Sequence, residues 1–93
     1  MASIKVTCIS LKGELVDHAR VVAIGGPNGG GWRMTVAQAV STIERGVNEF
    51  YLLDANGRRL EIAIEQGPRR KHLRARGGGK WLDDLLTLRR FEL

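Results

Sequence analysis

The chain has 93 residues and a formal net charge of +5, with 43% hydrophobic and 27% charged residues. These values predict one soluble globular domain, residues 1–93, and no run approaches the roughly 18 apolar residues of a membrane helix. A single cysteine, Cys8, excludes an internal disulfide, and the N-terminus does not resemble a signal peptide, so we expect a cytoplasmic protein.

The first 31 residues predict two strands and a loop. Ile4, Val6 and Cys8 alternate with Lys5 and Thr7, as in a strand with one buried face. The apolar row changes parity after Cys8, which indicates a bulge near that residue or burial of both faces. Residues 20–24 predict a second strand. Residues 25–31, with five glycines and a proline, predict a mobile loop.

One helix is predicted between residues 35 and 46. Thr35 is a typical N-cap, Gln38 completes a capping box three residues later, and Gly46 is typical of the position just after a helix. Four apolar residues recur at helical spacing and predict the face that packs on the core: Val36, Ala39, Val40 and Ile43.

Three strands joined by two tight turns are predicted after the helix. Residues 49–53 and 59–65 flank an Asn-Gly pair, which is a strong β-hairpin signal, and a turn at 67–70 leads into a strand at 71–76. Residues 81–86 predict one helical turn before an extended tail, with Trp81 packed in the core. The order ββαβββ plus a short C-terminal segment defines an α+β fold, with one helix packed on an antiparallel sheet of about five strands.

The second turn predicts the register of the hairpin that it joins. If residues 67–70 form the loop, the cross-strand pairs on the core face are Ile64 with Leu73 and Ile62 with Ala75. On the other face, Glu65 lies opposite His72 and Glu61 lies opposite Arg76. These opposite charges would fix the register and neutralise part of the basic surface.

The excess positive charge lies in the last two-fifths of the chain. Residues 1–56 hold five basic and five acidic side chains, whereas residues 57–93 hold ten basic and five acidic ones. Residues 69–80 contain six cations and no carboxylate, and such a stripe attracts phosphates without sequence preference. The predicted cross-strand pairs leave these cations without a partner: Arg58, Arg69, Arg70, Lys71, Arg74 and Lys80.

Catalytic and metal-binding motifs are absent from the sequence. Residues 77–80 lack the spacing and the Ser/Thr of a phosphate-binding loop. The pair Asp83–Asp84 could hold a cation together with Asp54, although adjacent carboxylates more often cap a helix, and His18 and His72 lack zinc-site spacing. No nucleophile, base and orienting residue can be grouped. We therefore predict that the chain is not an enzyme and uses no cofactor or metal.

Several segments resemble the family of small bacterial proteins designated domain of unknown function 3892 (DUF3892). They are Met34–Val40, Ile43–Gly46, Phe50–Leu52, Leu73–Arg74 and Asp83–Leu88, and together they span most of the chain. The chain departs from the family pattern at Ala75, Asp84 and Arg89. The resemblance implies a helix between strand pairs and no assigned activity. It also directs attention to Arg74 and to the segment that begins at Asp83.

Two functions remain open on these grounds. The first is a cytoplasmic protein-interaction or self-associating module, because the chain is small, has no catalytic set and carries Trp32 beside a glycine-rich loop. The second is a nucleic-acid-binding accessory protein without sequence preference, which would use the basic C-terminal hairpin. The candidate interaction residues are Trp32, Arg58, Arg69, Arg70, Lys71, Arg74 and Lys80.

Overall fold

The structure is a computed structural model that describes residues 2–13, 18–26 and 31–91. In chain order, the elements are β1 (Ala2–Lys5), β2 (Cys8–Leu11), a first 3-10 turn (His18–Arg20), β3 (Val21–Gly26), β4 (Trp32–Thr35), α1 (Val36–Glu44), β5 (Asn48–Leu53), β6 (Arg59–Gln66), β7 (Lys71–Gly77), β8 (Lys80–Leu82), a second 3-10 turn (Asp84–Thr87) and β9 (Arg89–Arg90). The predicted α+β class is confirmed.

The strands form two sheets rather than the single antiparallel sheet predicted. One has five strands in the order β1-β5-β6-β7-β8, and the other has four in the order β4-β3-β2-β9. Each contains one parallel pair, β1 with β5 and β2 with β9, and the remaining pairs are antiparallel. Parallel pairing joins segments that are distant in sequence, so alternation alone did not indicate it.

The N-terminal segment passes from one sheet to the other between β1 and β2. The backbone N–H of Val6 donates to the carbonyl of Tyr51 in the five-stranded sheet (2.8 Å), and the next N–H, of Thr7, donates to Gly25 in the four-stranded sheet (2.9 Å). Val6, at the crossing, and Ile9, in β2 after it, are both fully buried. The change of parity near Cys8 therefore marks a change of sheet, and the irregular register in β2 lies further on, between Ser10 and Leu11.

Helix α1 begins and ends where its caps predict. The Thr35 side chain accepts a hydrogen bond from the Gln38 N–H (3.1 Å), and the Gln38 side chain accepts one from the Thr35 N–H (3.0 Å). Gly46 follows the helix with φ of 69°. Ala39 and Val40 are buried, so the predicted apolar face does pack on the core.

The hairpin of β6 and β7 has the predicted register at every pair. Ile64 lies opposite Leu73, Ile62 opposite Ala75, Glu65 opposite His72 and Glu61 opposite Arg76. The preceding turn is closed by Asp54, whose Oδ1 accepts the N–H groups of Asn56 (2.9 Å) and Arg58 (2.8 Å). The Arg58 N–H, more than the others, holds the pKa of Asp54 below its usual value. Gly57 supplies the positive φ of 79° that the turn needs.

Three short strands were not predicted: β4, β8 and β9. Strand β8 follows β7 through Gly78 and Gly79, whose φ angles of 59° and 77° suit a two-residue hairpin turn. The predicted helical turn is present as the second 3-10 turn, which places Leu85 in the core. No helix in the described part of the chain is long and apolar enough to cross a membrane.

Candidate functional site

Several cations within residues 57–80 have carboxylate partners. Lys71 Nζ forms an ion pair with Glu44 on α1, and Arg58 Nε lies 3.2 Å from Asp54 Oδ2. Neighbouring Arg59 donates to Glu49 Oε1 (3.1 Å). The expectation that Arg58 and Lys71 have no partner is therefore wrong. Their acidic partners, Asp54 and Glu44, lie in the turn before β6 and in α1, and the register of the hairpin does not predict contacts with either.

Arg74 is also paired, contrary to the sequence-based expectation. Its NH2 group donates to Asp83 Oδ1 (2.9 Å), its NH1 group lies 3.4 Å from both carboxylate oxygens of Glu65, and its Nε donates to the carbonyl of Leu82 (3.3 Å). The side chain is only 26% exposed. This guanidinium joins β7 to the segment that follows β8, so its role in the fold is to hold the C-terminal region against the hairpin.

Two histidines, His18 and His72, pack beside the ion pairs of Arg74. His72 Nε2 lies 2.7 Å from Glu65 Oε1, and its ring stacks on that of buried His18, with centroids 6.4 Å apart. His18 Nε2 is 3.9 Å from Asp83 Oδ1 and has no hydrogen-bond partner among the described residues. Burial, followed by the nearby Arg74 charge, lowers the pKa of His18 from its usual 6.5. The first 3-10 turn is therefore held on β7 by an imidazole that favours its neutral form.

The Glu65 carboxylate is the acid at the centre of these contacts. The hydrogen bond with His72, together with those from Arg74, lowers the pKa of Glu65 from its usual 4.5. Since Glu65 is 23% exposed on its side chain, the ion pairs are partly shielded from water. The predicted pair of Glu65 and His72 is thus a real contact, and it is more covered than a hairpin surface would be.

Beside the turn at residues 67–70 lies a hollow of about 490 Å³, which we call the cationic hollow. It is lined by four exposed cations, Lys12, Arg20, Arg69 and Arg70, together with Ala19, Gly67, Pro68 and His72. No carboxylate of the described residues lines it. Glu14 and Asp17 lie outside those residues.

Hydrogen bonds to backbone carbonyls bring together the segments that carry these cations. The Lys12 N–H donates to the Arg20 carbonyl (2.8 Å), which joins the end of β2 to the start of β3. Arg70 NH2 donates to the Ala19 carbonyl (3.1 Å), which joins the hairpin turn to the first 3-10 turn. Within the turn, Gly67 N–H donates to the Arg70 carbonyl (3.0 Å). The arrangement depends on two regions some fifty residues apart, and for this reason Lys12 and Arg20 were not identified from sequence.

A second hollow of about 410 Å³, which we call the apolar hollow, adjoins the first. Its walls are side chains of β3 and α1 with the start of β7, chiefly Val21, Val22, Val36, Ala37 and Val40. The two hollows share Ala19, Arg70 and His72. We name the combined surface the docking groove. It has one apolar end and one cationic end.

The other candidate interaction residues lie elsewhere. Trp32 is half-buried in β4, with its ring 6.0 Å from that of Phe50, so it packs on the core. Lys80 is exposed at the start of β8, at the far end of β7 from the docking groove. Trp81, predicted to be in the core, is 37% exposed, and the Arg76 guanidinium lies 5.4 Å from its ring centre. Arg76 therefore stacks on Trp81, and it forms no ion pair with Glu61 among the residues described.

Two of the three acidic residues considered as cation ligands, Asp54 and Asp83, have their carboxylates in other contacts. Asp83 accepts from Arg74, and Asp54 accepts from Arg58 and two backbone groups. Within residues 2–13, 18–26 and 31–91, no group of three or more His, Cys, Asp and Glu side chains is placed to hold a metal ion.

Fold and site together define a small α+β protein with a groove that is apolar at one end and cationic at the other. A family model described as "Protein of unknown function (DUF3892)" matches residues 5–89, so the chain belongs to this family. No curated protein matches the chain. No solved structure matches it either.

Proposed function

We propose that this chain is a protein-interaction module that binds an acidic segment of a partner protein, with apolar residues beside the acids, in the docking groove. One observation carries the proposal: the apolar and cationic hollows share a wall formed by Ala19, Arg70 and His72. A single short segment can therefore occupy both. Concave sites with apolar walls and a few convergent polar groups are typical ligand-binding surfaces.

The apolar hollow supports binding by burial. Val22 and Val36 line it and are only partly covered, and Ala37 is exposed on the first turn of α1. Apolar side chains of a partner would remove this surface from water, which stabilises a complex by about 25 cal/mol for each Å² of apolar area buried. The small side chain of Ala37 leaves the hollow open between the helix and the strand.

The cationic hollow supports the acidic character of the partner. Four cations without a carboxylate partner in the described residues create a positive potential, which attracts and orients an acidic segment. The hollow lies at one end of the hairpin. Along β7 itself, Lys71 and Arg74 are neutralised by Glu44, Glu65 and Asp83. A continuous phosphate track along the hairpin is therefore interrupted, which favours a short acidic segment over a nucleic-acid backbone.

A random-peptide display library, selected on the purified protein, tests the proposal. We expect the selected peptides to combine Asp or Glu with neighbouring apolar residues. Their affinity, measured by fluorescence anisotropy, should fall in the double variant Arg69→Ser/Arg70→Ser. It should be unchanged in Arg89→Ser/Arg90→Ser, which removes the same charge from β9, outside the docking groove.

A second pair of variants tests the apolar end. Ala37→Gln places a longer side chain in the apolar hollow at a helix position that tolerates Gln well. Ser41→Gln makes a similar change one turn further along α1, outside the docking groove. The first variant should weaken peptide binding and the second should not.

Three results would overturn the proposal. They are a selection that yields no peptide, selected peptides without acidic residues, and equal losses in the test and control variants. Binding of generic DNA or RNA that exceeds peptide binding and weakens steeply with salt would instead favour the nucleic-acid function. Light scattering at several concentrations tests whether a second copy of the chain occupies the groove. In that case the apparent mass rises with protein concentration, and the rise is lost in Arg69→Ser/Arg70→Ser.

A further inference from the structure

Within the part of the chain that the structure describes, the four cations of the cationic hollow converge on one surface with no acid beside them. Arg58, Arg59, Lys71 and Arg74 each contact a carboxylate. Among the described residues, no carboxylate contacts Lys12, Arg20, Arg69 or Arg70. Bringing four like charges to one concave surface opposes folding unless an anion completes the site.

The hollow is also organised before any anion binds. Arg70 is held by its hydrogen bond to the Ala19 carbonyl (3.1 Å), and this contact uses one end of its guanidinium fork. Its remaining N–H groups stay available, because a guanidinium carries five donors in a fixed plane. The Arg20 guanidinium lies over Gly13, where an added Cβ would be 3.9 Å from its NH1 atom.

We infer that the cationic hollow is a binding site for a phosphate monoester, carried on the partner segment that the docking groove receives. The inference rests on the proposed function and names the chemical group recognised at its cationic end. A phosphate monoester carries a charge between −1.5 and −2 near neutral pH, by the usual second pKa of about 6, and has three acceptor oxygens. Arginine forks match these oxygens in pairs. One carboxylate would neutralise only one of the four cations.

The charge and shape of the hollow favour a monoester over a nucleic-acid backbone. Each phosphodiester carries a single charge, and nucleic-acid binders gain affinity by spreading contacts along a track. Here the cations converge on one hollow of about 490 Å³, and the adjoining surface is apolar. A group attached to a polypeptide reaches both surfaces at once.

Titration with inorganic phosphate, followed by amide chemical shifts of the ¹⁵N-labelled protein, tests the site without a partner. We expect saturable shifts at Lys12, Ala19, Gly67 and Arg70, measured against chloride at the same ionic strength. Arg69→Ser/Arg70→Ser should weaken phosphate binding by about tenfold or more, since it removes two charge-assisted contacts. Arg89→Ser/Arg90→Ser, with the same net charge, should bind phosphate as the unaltered chain does.

A peptide pair then distinguishes the source of the phosphate. One member is a display-selected acidic peptide, and the other carries phosphoserine in place of its central acidic residue. The phosphorylated member should bind about tenfold more tightly, and Arg69→Ser/Arg70→Ser should abolish the difference. If phosphate binds while the phosphorylated peptide gains nothing, the site belongs to a free phosphate monoester and the link to a partner segment is wrong.

The outcomes separate this inference from the proposed function. Phosphate that causes no saturable shift, or that shifts amides elsewhere, overturns the monoester site even if acidic peptides bind the docking groove. Saturable phosphate binding at the hollow with no peptide selected overturns the proposed function and leaves the anion site. A single-stranded oligonucleotide that displaces phosphate at lower concentration than the phosphorylated peptide would assign the hollow to nucleic acid and contradict the inference.

Discussion

Replacing Glu65 with glutamine removes the negative charge at the centre of the histidine and arginine cluster while keeping the shape of the side chain. Glu65 Oε1 lies 2.7 Å from His72 Nε2 and 3.4 Å from Arg74 NH1. The short contact is the stronger one, and Arg74 keeps its 2.9 Å bond to Asp83 in the variant. The loss therefore falls mainly on one hydrogen bond of β7.

The expected magnitude follows from the difference between a charged and a neutral acceptor. A hydrogen bond to a charged group contributes about 1.5–3 kcal/mol, and a neutral one contributes about 1 kcal/mol. Since the Glu65 side chain is 23% exposed, solvent screening reduces the difference. We expect Glu65→Gln to lower the free energy of unfolding by about 1 kcal/mol, which for a domain of this size lowers Tm by about 4–8 °C.

Glu61→Gln is the matched control for this change. Glu61 lies four residues away on the same face of β6, and its cross-strand neighbour Arg76 stacks on Trp81 instead of pairing with it. Its substitution should change the free energy of unfolding by less than about 0.5 kcal/mol, as is usual for surface positions. Urea unfolding monitored by circular dichroism measures both variants. Equal effects of the two substitutions would refute the assigned role of Glu65.

The pH dependence gives a second measurement on the same variant. Because the pKa of Glu65 is lowered in the folded state, its contribution is present above the usual value of 4.5 and is lost as pH falls through the folded pKa. The difference in stability between the unaltered chain and Glu65→Gln should therefore hold from pH 7 to about pH 5 and close at more acid pH. A difference that persists unchanged at pH 3, if the chain remains folded there, contradicts the ion pair.

Three further changes have defined outcomes. His18→Phe should make the free energy of unfolding less dependent on pH between about pH 7 and 5. The pKa of His18 is lowered in the folded state, so the unfolded chain binds more protons as pH falls through 6.5. Urea unfolding at several pH values measures this dependence, and an unchanged slope of unfolding free energy against pH contradicts the prediction. Thr35→Ala should cost about 1 kcal/mol in the same assay through loss of the capping box, and no loss would mean the cap is unimportant. Gly67→Ala places a Cβ 2.8 Å from the Arg70 carbonyl and 3.0 Å from His72 Nδ1, so it should both lower Tm and weaken phosphate binding. A lower Tm with unchanged phosphate binding would show that the shape of this turn does not determine binding in the cationic hollow.

Local signals in the sequence were sufficient for the helix and for the hairpin of β6 and β7. The capping box of Thr35 and Gln38 and the residue Gly46 define the helix from neighbouring groups. The turn at 67–70 determines every pair of the hairpin, since side chains alternate with a period of two. Both features arise within short stretches of chain, where propensity and pattern decide the structure.

Contacts between distant segments were the part that sequence reasoning missed. The crossing of the chain between the two sheets at Val6 and Thr7 needs partners from β5 and β3, and its signal, a change of parity, has more than one physical cause. One acidic partner of Arg74 is Asp83, which lies close to β7 because β8 pairs beside that strand. Residue spacing along one strand does not predict which distant segment will pack beside it.

The cationic hollow was missed for the same reason. Arg69 and Arg70 were identified because they lie in a dense basic run, but Lys12 and Arg20 stand alone in the sequence. A signal was available in their positions, because Lys12 directly follows β2 and Arg20 directly precedes β3. Residues that flank two paired strands at the same end lie close together. That rule could have placed both cations beside each other, though not beside the hairpin turn.

The most direct measurement of the docking groove is an amide chemical-shift map of the ¹⁵N-labelled protein with a display-selected acidic peptide. The binding proposal predicts perturbations at residues that line both hollows, such as Val22, Ala37 and Arg70, with Ala19 between them. Perturbations centred instead on the exposed ring of Trp81 and on its neighbour Arg76 would contradict it.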